Sequence, residues 1–176
     1  MNDRDALIDL IHKAFGQVPY PGDDNLRGSD EGTEPFRVES EFRGKVDWSA
    51  LSADFIDQAP GGLGSSLSFF SDEAFRFYIA AYLLADIDGR LERADPIFHL
   101  TYGLNDESST ELVNPRRYGN TTWFEVAQRR FRNFDAAQRE AVAAYLTYRR
   151  LHGNLFDSES EKIEAAIRSY WRRGAA

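Results

Sequence analysis

The sequence predicts an all-α fold, an irregular bundle of about six helices around a buried central helix, with long acidic loops. Apolar residues recur at helical spacing along the chain, and most of these stretches begin at a good helix cap. Residues 74–85 are apolar apart from Arg76, which is typical of a helix inside a core. Turn residues and carboxylates fill the long stretches between the helical segments.

The length and composition predict a single domain over residues 1–176. Of the 176 residues, 42% are hydrophobic and 24 are aromatic, which is ample material for one core. An ordinary domain of this size buries about 70% of the surface of its unfolded chain. No stretch in the middle of the chain has the composition of a linker between two full domains.

The first helix is predicted over Asp3–Phe15, whose apolar residues fall on one stripe, and Gly16 can end it. Turn residues follow from Val18, and acidic, glycine-containing sequence continues to Glu34, so we expect a long loop. Apolar residues then alternate over Phe36–Phe42. This alternation allows a short strand, and hence one short strand pair, although an irregular segment is nearly as well favoured.

Two further helices are predicted in the first half of the chain. Asp47 is a good N-cap for a helix that carries Trp48, and Pro60-Gly61-Gly62 would end that helix. Ser71 is expected to cap the central helix, Asp72–Ile87. Residues 97–104 form a short apolar run that could be helix or strand, and residues 105–120 are typical of a polar loop.

The second half predicts the remaining helices from their caps. Thr122 with Glu125 is a capping-box pattern, and Asp135 with Gln138 opens a helix that ends at Gly153. The pair Ser158 and Glu161 opens the last predicted helix, whose apolar residues are Ile163, Ala166, Ile167, Tyr170 and Trp171.

Composition also bounds the function. The chain has no cysteine, which excludes disulfides and thiolate metal sites and favours a reducing compartment. Its beginning lacks the pattern of a secretory signal, and its longest apolar run is far shorter than the roughly 20 residues that span a bilayer. We therefore expect a cytoplasmic protein that does not enter a membrane.

The net charge of −8 is unevenly distributed. Residues 1–100 hold 19 acids and 9 bases, whereas residues 101–176 hold 10 acids and 12 bases. Acidic proteins are repelled by phosphate backbones, which makes nucleic acid an unfavoured partner. Arginine clusters at residues 129–132, 149–150 and 172–173 could form a nucleic-acid face, but the overall charge favours an ordinary solvated surface.

The candidate functional loop surrounds Asp23 and Asp24, adjacent carboxylates on a turn stiffened by proline. They could bind a cation or act in acid–base chemistry, or simply accept the turn's own amide hydrogens. His99, in an apolar run, is the best candidate for a general base. Arg76 could pair with acids one turn before it or reach the loop. The candidate site is therefore Tyr20, Asp23, Asp24, Arg76 and His99.

Other motifs fail their tests, so we expect no metal and no cofactor. Residues 86–89 (Asp-Ile-Asp-Gly) lack both the first ligand and the bidentate glutamate of a calcium loop. Residues 60–66 are glycine-rich but lack the Gly-Lys-Ser/Thr sequence with which a phosphate-binding loop ends, so a flexible linker is the better interpretation. The histidines at 12, 99 and 152 have no partner at the spacing of a zinc-binding helix.

Four stretches resemble a known family: Pro19–Leu26 (PYPGDDNL), Phe42-x-Gly44 with Trp48, Leu67–Tyr78 (LSFFS-x-EAFRFY), and the helix within Phe134–Arg150. It is a family of small bacterial proteins of unknown function. The resemblance covers most of the chain and implies a bacterial, cytosolic origin. It implies no activity, because the family has none assigned.

Two functional classes follow from these observations. The first is a non-catalytic cytosolic interaction protein, an adaptor or an immunity-type protein that binds a basic partner through its acidic loops. The second is a small enzyme that combines the loop carboxylates with His99 as general base, which requires one pocket to join them. The charge asymmetry and the missing catalytic motif favour the first class.

Overall fold

The computed structural model describes residues 3–58 and 66–173. The chain divides into two compact units, unit 1 at residues 1–99 and unit 2 at residues 100–176. The described residues form nine α-helices joined by loops and short 3₁₀ turns, and no β-strand occurs among them. The prediction of a mainly helical protein is confirmed, with more and shorter helices than expected. A single domain over residues 1–176 stays a prediction.

Helix α1 covers Asp3–Phe15, the range that the sequence predicts. Its buried residues lie on one stripe because they recur every three or four positions, and they are Leu7, Ile11, Ala14 and Phe15. The amide of Gly16 donates to the carbonyl of His12 over 2.8 Å and closes the last turn. Residues 16–33, which we call the acidic loop, then lead to the next helix.

Helix α2 covers Glu34–Phe42, so the short strand allowed over Phe36–Phe42 is wrong. Pro35 lies in the first turn, where its missing amide hydrogen costs nothing. The buried residues Pro35, Val38 and Phe42 follow helical spacing. Phe36, which suggested alternation, is 46% exposed, so its apolar character does not mark a buried face.

The helix predicted after Asp47 is two short pieces. Asp47 caps a 3₁₀ turn at Trp48–Ala50, and the chain then extends before α3, Ala53–Ile56. Ser52 is the N-cap of α3 and accepts the amide of Phe55 over 3.2 Å. The local capping chemistry of Ser52 therefore restarts the helix. The predicted end at residues 60–62 and the glycine-rich segment up to residue 65 lie outside the described residues.

Helix α4 covers Asp72–Ile87 and follows a 3₁₀ turn at Ser66–Ser68. Ser71 caps it as predicted, since its Oγ accepts the amide of Ala74 over 3.0 Å. Eleven of its 16 residues are buried, as expected for a helix with apolar residues on nearly every face. The apolar run after it forms helix α5, Pro96–Thr101, which includes the passage from unit 1 to unit 2.

Unit 2 contains helices α6 (Pro115–Tyr118), α7 (Trp123–Phe131), α8 (Ala136–His152) and α9 (Asp157–Ala166). The predicted capping boxes at Thr122 and Asp135 are both present. The polar stretch 105–120 contains a 3₁₀ turn, Glu107–Ser109, as well as α6.

The start predicted for the last helix, at Ser158, is wrong by two residues. Phe156 occupies the N-cap position of α9, and Glu159 reaches back to accept its amide over 2.9 Å. A π-helical turn, Ile167–Trp171, ends the helix. The indole of Trp171 donates to the carbonyl of Leu100 over 2.9 Å, which satisfies its buried N–H.

Candidate functional site

Three of the sequence stretches that carry the family resemblance meet in unit 1. The ring of Phe42 lies 4.8 Å from that of Phe70 and 4.9 Å from that of Tyr78, measured between centroids. The hydroxyl of Tyr78 donates to the carbonyl of Lys45 over 2.8 Å. These aromatic contacts hold the chain after α2 against the start of α4.

The acidic loop is fastened to the same place through its backbone. The amide of Ser71 donates to the carbonyl of Leu26 over 2.9 Å, and its hydroxyl donates to the carbonyl of Asn25 over 2.6 Å. The amide of Gly28 donates to the carbonyl of Phe69 over 2.7 Å. Leu26 itself is fully buried. Ser71 therefore caps α4 and anchors the acidic loop with the same side chain.

Gly28 permits this close approach because it has no side chain. A Cβ atom at this position would lie 2.5 Å from the carbonyl oxygen of Phe70. That separation is well inside van der Waals contact, so any larger residue would push the two segments apart. The glycine is thus a steric requirement of the loop attachment.

Asp23 is the centre of the candidate site, and its carboxylate is used within the protein. Its Oδ1 accepts the hydroxyl of Tyr20 over 2.6 Å and the amide of Gly44 over 2.8 Å. Its Oδ2 lies 3.7 Å from the guanidinium of Arg43. The bond from Tyr20, then that from Gly44, holds the pKa of Asp23 below its usual range. The carboxylate is a stabilised anion, which makes it a weak base.

Tyr20 is the partner that positions Asp23. Its ring meets the ring of Phe77 edge to face at 5.5 Å, and this contact helps to orient the hydroxyl that bonds to Asp23. Burial raises the pKa of Tyr20, and the adjacent Asp23 carboxylate raises it further. Tyr20 therefore stays protonated at neutral pH and serves as a hydrogen-bond donor.

Asp24 shares the ion-pair partner of Asp23 but faces solvent. Its side chain is fully exposed and its nearest ion-pair partner, Arg43, lies 3.7 Å away. Arg43 also pairs with Glu39 over 2.8 Å, and Glu39 accepts a second bond from Arg27. Arg27 in turn pairs with Asp30 over 2.8 Å. These charges join the acidic loop to α2 while leaving the loop's outer carboxylates in solvent.

Tyr20 is hydrogen-bonded to Asp23, and Asp24 shares the ion-pair partner Arg43 with Asp23, while their role as a functional site stays a prediction. His99 is half-buried on α5, with the rings of Phe75 and Phe98 at centroid distances of 6.4 and 5.3 Å. Arg76 is half-buried on α4. Within the described ranges, neither is a partner of the Asp23 carboxylate. Their place in the candidate site stays a prediction.

The carboxylate of Asp57 organises a turn in unit 1, and no sequence pattern indicates this role. Asp57 accepts the amides of Glu92, Arg93 and Ala94 over 3.0, 2.9 and 2.9 Å, and so fixes the turn between α4 and α5. Burial would raise the pKa of Asp57, but the three amides outweigh it and lower that pKa. No sequence pattern links residues 35 to 37 positions apart, so only the fold reveals this bond set.

A polar surface groove of about 280 Å³ adjoins this turn and is lined by Asp54, Asp57, Gln58, Arg90, Glu92 and Arg93. Neither in this groove nor in the rest of the described chain are three histidine or carboxylate side chains grouped to hold a metal ion. Among the helices of residues 3–58 and 66–173, none has the length and apolar character needed to cross a bilayer.

Comparison with known proteins leaves the activity open. No curated protein and no solved structure matches the chain. One family does match, over residues 3–175, and it is described as a family of unknown function. The match spans nearly the whole chain, including all the stretches that form the site around Asp23. The chain belongs to this family of unknown function, DUF6714.

Proposed function

We propose that the protein is a non-catalytic interaction protein that binds a basic protein partner through the acidic loop. The observation that carries the proposal is the contrast within this loop. Its backbone is anchored by Ser71 and Gly28, and Asp23 is bonded internally, while Asp24 and Asp30 have side chains 100% and 77% exposed. A carboxylate surface on an anchored backbone loses little entropy when a partner binds.

The charge of unit 1 supports this proposal. Its described residues contain 19 acids and 9 bases, a net charge of −10, whereas unit 2 has a net charge of +2. A field of this sign accelerates encounter with a positively charged protein and disfavours acidic ones. Bonds and ion pairs inside the unit hold Asp23, Asp57 and Glu39, whereas Asp24, Asp30 and Glu31 are exposed and present their negative charge to solvent and to a partner.

The alternative, a small enzyme, has less support. A general base needs a pKa near the working pH and a free lone pair directed at its substrate. Asp23 has a lowered pKa, and its Oδ1 already accepts hydrogen bonds from Tyr20 and Gly44. His99 lies beside two aromatic rings. We therefore favour binding over catalysis.

The setting proposed for this binding is the cytosol of a bacterium, in keeping with the cysteine-free sequence and the family resemblance. The proposed scaffold is an irregular helical bundle in which α4 is the buried centre. Burial of 11 of the 16 residues of α4 supports that role.

The test is affinity capture from a lysate of the source organism at about 0.15 M salt, where charges are screened beyond about 8 Å. The captured basic protein is then purified and its affinity measured by calorimetry. The loop variant Asp24→Asn/Asp30→Asn/Glu31→Gln removes three exposed charges and is expected to weaken binding at least about tenfold.

The matched control removes three exposed charges from unit 2, in Glu107→Gln/Asp157→Asn/Glu161→Gln. This control is expected to bind like the native chain. Equal affinity of the loop variant and the control would contradict the proposal, and capture of no basic protein would do the same.

A further inference from the structure

We infer that unit 2 carries a second interaction surface, which binds an acidic, partly apolar polypeptide segment. Residues 112–134 hold five arginines and one acid, although the whole chain has a net charge of −8. This inference does not depend on the proposed function of the acidic loop, because its residues and its charge are different. We call it the arginine-rich surface, and it consists of Leu112, Arg116, Arg117, Tyr118, Val126 and Arg129.

The first part of the surface is a loop, residues 112–122, whose two ends are hydrogen-bonded to each other. Leu112 and Thr122 form an isolated antiparallel bridge. The amide of Val113 donates to the carbonyl of Thr121 over 2.9 Å, and that of Trp123 donates to the carbonyl of Glu111 over 3.1 Å. These bonds close the base, so the exposed residues between them are presented on a fixed stem.

The tip of this loop is exposed throughout. Asn114 caps the single turn of α6 by accepting the amide of Arg116 over 3.2 Å. Residues 114–120 are all exposed, and among them are Arg116, Arg117 and Tyr118. The guanidinium of Arg117 lies 5.2 Å from the centre of the Tyr118 ring. Arginine and tyrosine are the residue types that most often dominate protein interfaces.

The second part is the outer face of α7. Val126 lies one turn after Thr122, and Arg129 lies one turn further along the same face. Both Val126 and Arg129 are exposed. The one acid of α7, Glu125, accepts the amide of Thr122 over 2.9 Å in the capping box. Its charge is therefore held at the helix start, and the remaining face is basic.

Along the sequence, exposed apolar residues are interleaved with the arginines. Leu112 is 40% exposed, Tyr118 48% and Val126 38%. Arginine side chains can form bidentate ion pairs with carboxylates. Burial of the exposed leucine and valine side chains against apolar groups of a partner would stabilise the complex. The surface therefore matches a segment in which acidic and aliphatic residues alternate.

A polypeptide fits this surface better than a nucleic acid does. Tyr118 already faces Arg117, so its ring is less open for base stacking. Unit 1, with its net charge of −10, would repel a long polyanion. A short acidic segment interacts mainly with charges within about 8–10 Å of it, so the net charge of the whole chain disfavours it less than it disfavours a long polyanion.

The test uses a fluorescent peptide of aspartate and glutamate interspersed with leucine, titrated with the full-length protein and followed by anisotropy. Arg116→Glu/Arg117→Glu is expected to weaken binding about tenfold or more, and Leu112→Ser/Val126→Ser several-fold. The control, Arg172→Glu/Arg173→Glu, reverses two adjacent exposed arginines elsewhere in unit 2 and is expected to bind normally. Circular dichroism checks the fold, and Arg129→Glu replaces any variant that does not fold.

Three results would overturn the inference. One is equal affinity of the native chain and the Arg116→Glu/Arg117→Glu variant for the peptide. Another is tighter binding of a single-stranded oligonucleotide, lost in the same variant, which would assign the surface to nucleic acid. The third is self-association that the same substitutions abolish while the peptide does not bind, which would make a second copy the occupant.

Discussion

The hydroxyl of Tyr20 donates a hydrogen bond to Oδ1 of Asp23 over 2.6 Å, within the turn that the sequence marks as a candidate site. The same oxygen accepts the amide of Gly44 over 2.8 Å, and Gly44 has a φ of 74°, which side chains rarely tolerate. One carboxylate thus ties the acidic loop to the end of α2. Its first role is to shape the loop that displays Asp24 and Asp30.

The Tyr20–Asp23 bond is expected to contribute to stability. Tyr20→Phe keeps the ring contact with Phe77 and removes the donor, so the midpoint of urea unfolding should fall. Tyr118→Phe removes a hydroxyl from an exposed tyrosine and should leave the midpoint unchanged. A midpoint equal for the two variants would mean that the bond contributes nothing.

The pH dependence of stability follows from the lowered pKa of Asp23. Its folded pKa lies below the unfolded value of about 3.9, so its stabilisation is complete above that value and is lost as pH falls through the folded pKa. Asp23→Asn removes the titrating group. The difference in unfolding free energy between the native chain and this variant should therefore shrink as pH falls below about 4. A difference that stays constant down to the lowest pH would contradict the lowered pKa.

Gly28 is expected to tolerate no side chain. Gly28→Ala places a Cβ atom against the carbonyl of Phe70 and should destabilise the protein by about 1–3 kcal/mol, since backbone must move to relieve the overlap. Ser29→Ala, at the next exposed position, serves as control and should change the unfolding free energy by less than about 0.5 kcal/mol. An unchanged free energy for Gly28→Ala would show that the loop does not approach Phe70 this closely.

Asp57 is expected to hold the turn between α4 and α5. Asp57→Ala leaves three amides without their acceptor and should cost about 2 kcal/mol in unfolding free energy. Hydrogen exchange at Glu92, Arg93 and Ala94 should become faster in this variant. Asp54→Ala, which alters the same groove, should affect neither quantity. Unchanged exchange at the three amides would show that their hydrogen bonds to Asp57 do not hold this turn.

Local chemistry predicts much of this fold. The ends of α1 and α4 and the capping boxes at Thr122 and Asp135 follow from residues within one turn of each other. The start of α9 was misplaced because Phe156, with no capping side chain, occupies a position that serine usually takes. The sequence does not predict helix α2, because the exposed Phe36 gives Phe36–Phe42 the alternating apolar pattern of a strand.

The candidate site was predictable only in part. Adjacent acids on a proline-containing turn point to Tyr20, Asp23 and Asp24, because turn chemistry is local. The bonds from Gly44 to Asp23 and from Ser71 to Asn25 join residues 21 and 46 positions apart. The amides that Asp57 accepts are equally distant in sequence. Such bonds depend on how helices pack, which one sequence does not specify.

The acidic loop forms a fixed surface, held by hydrogen bonds from the amides of Gly28, Gly44 and Ser71. Native-state hydrogen exchange at these three amides tests whether the loop is fixed, because each amide donates one of those bonds. We expect exchange at these amides to be about a hundredfold slower, or more, than in an unstructured chain, and we expect Tyr20→Phe to accelerate exchange at Gly44. Exchange of all three amides at the rate of an unstructured chain would contradict this expectation.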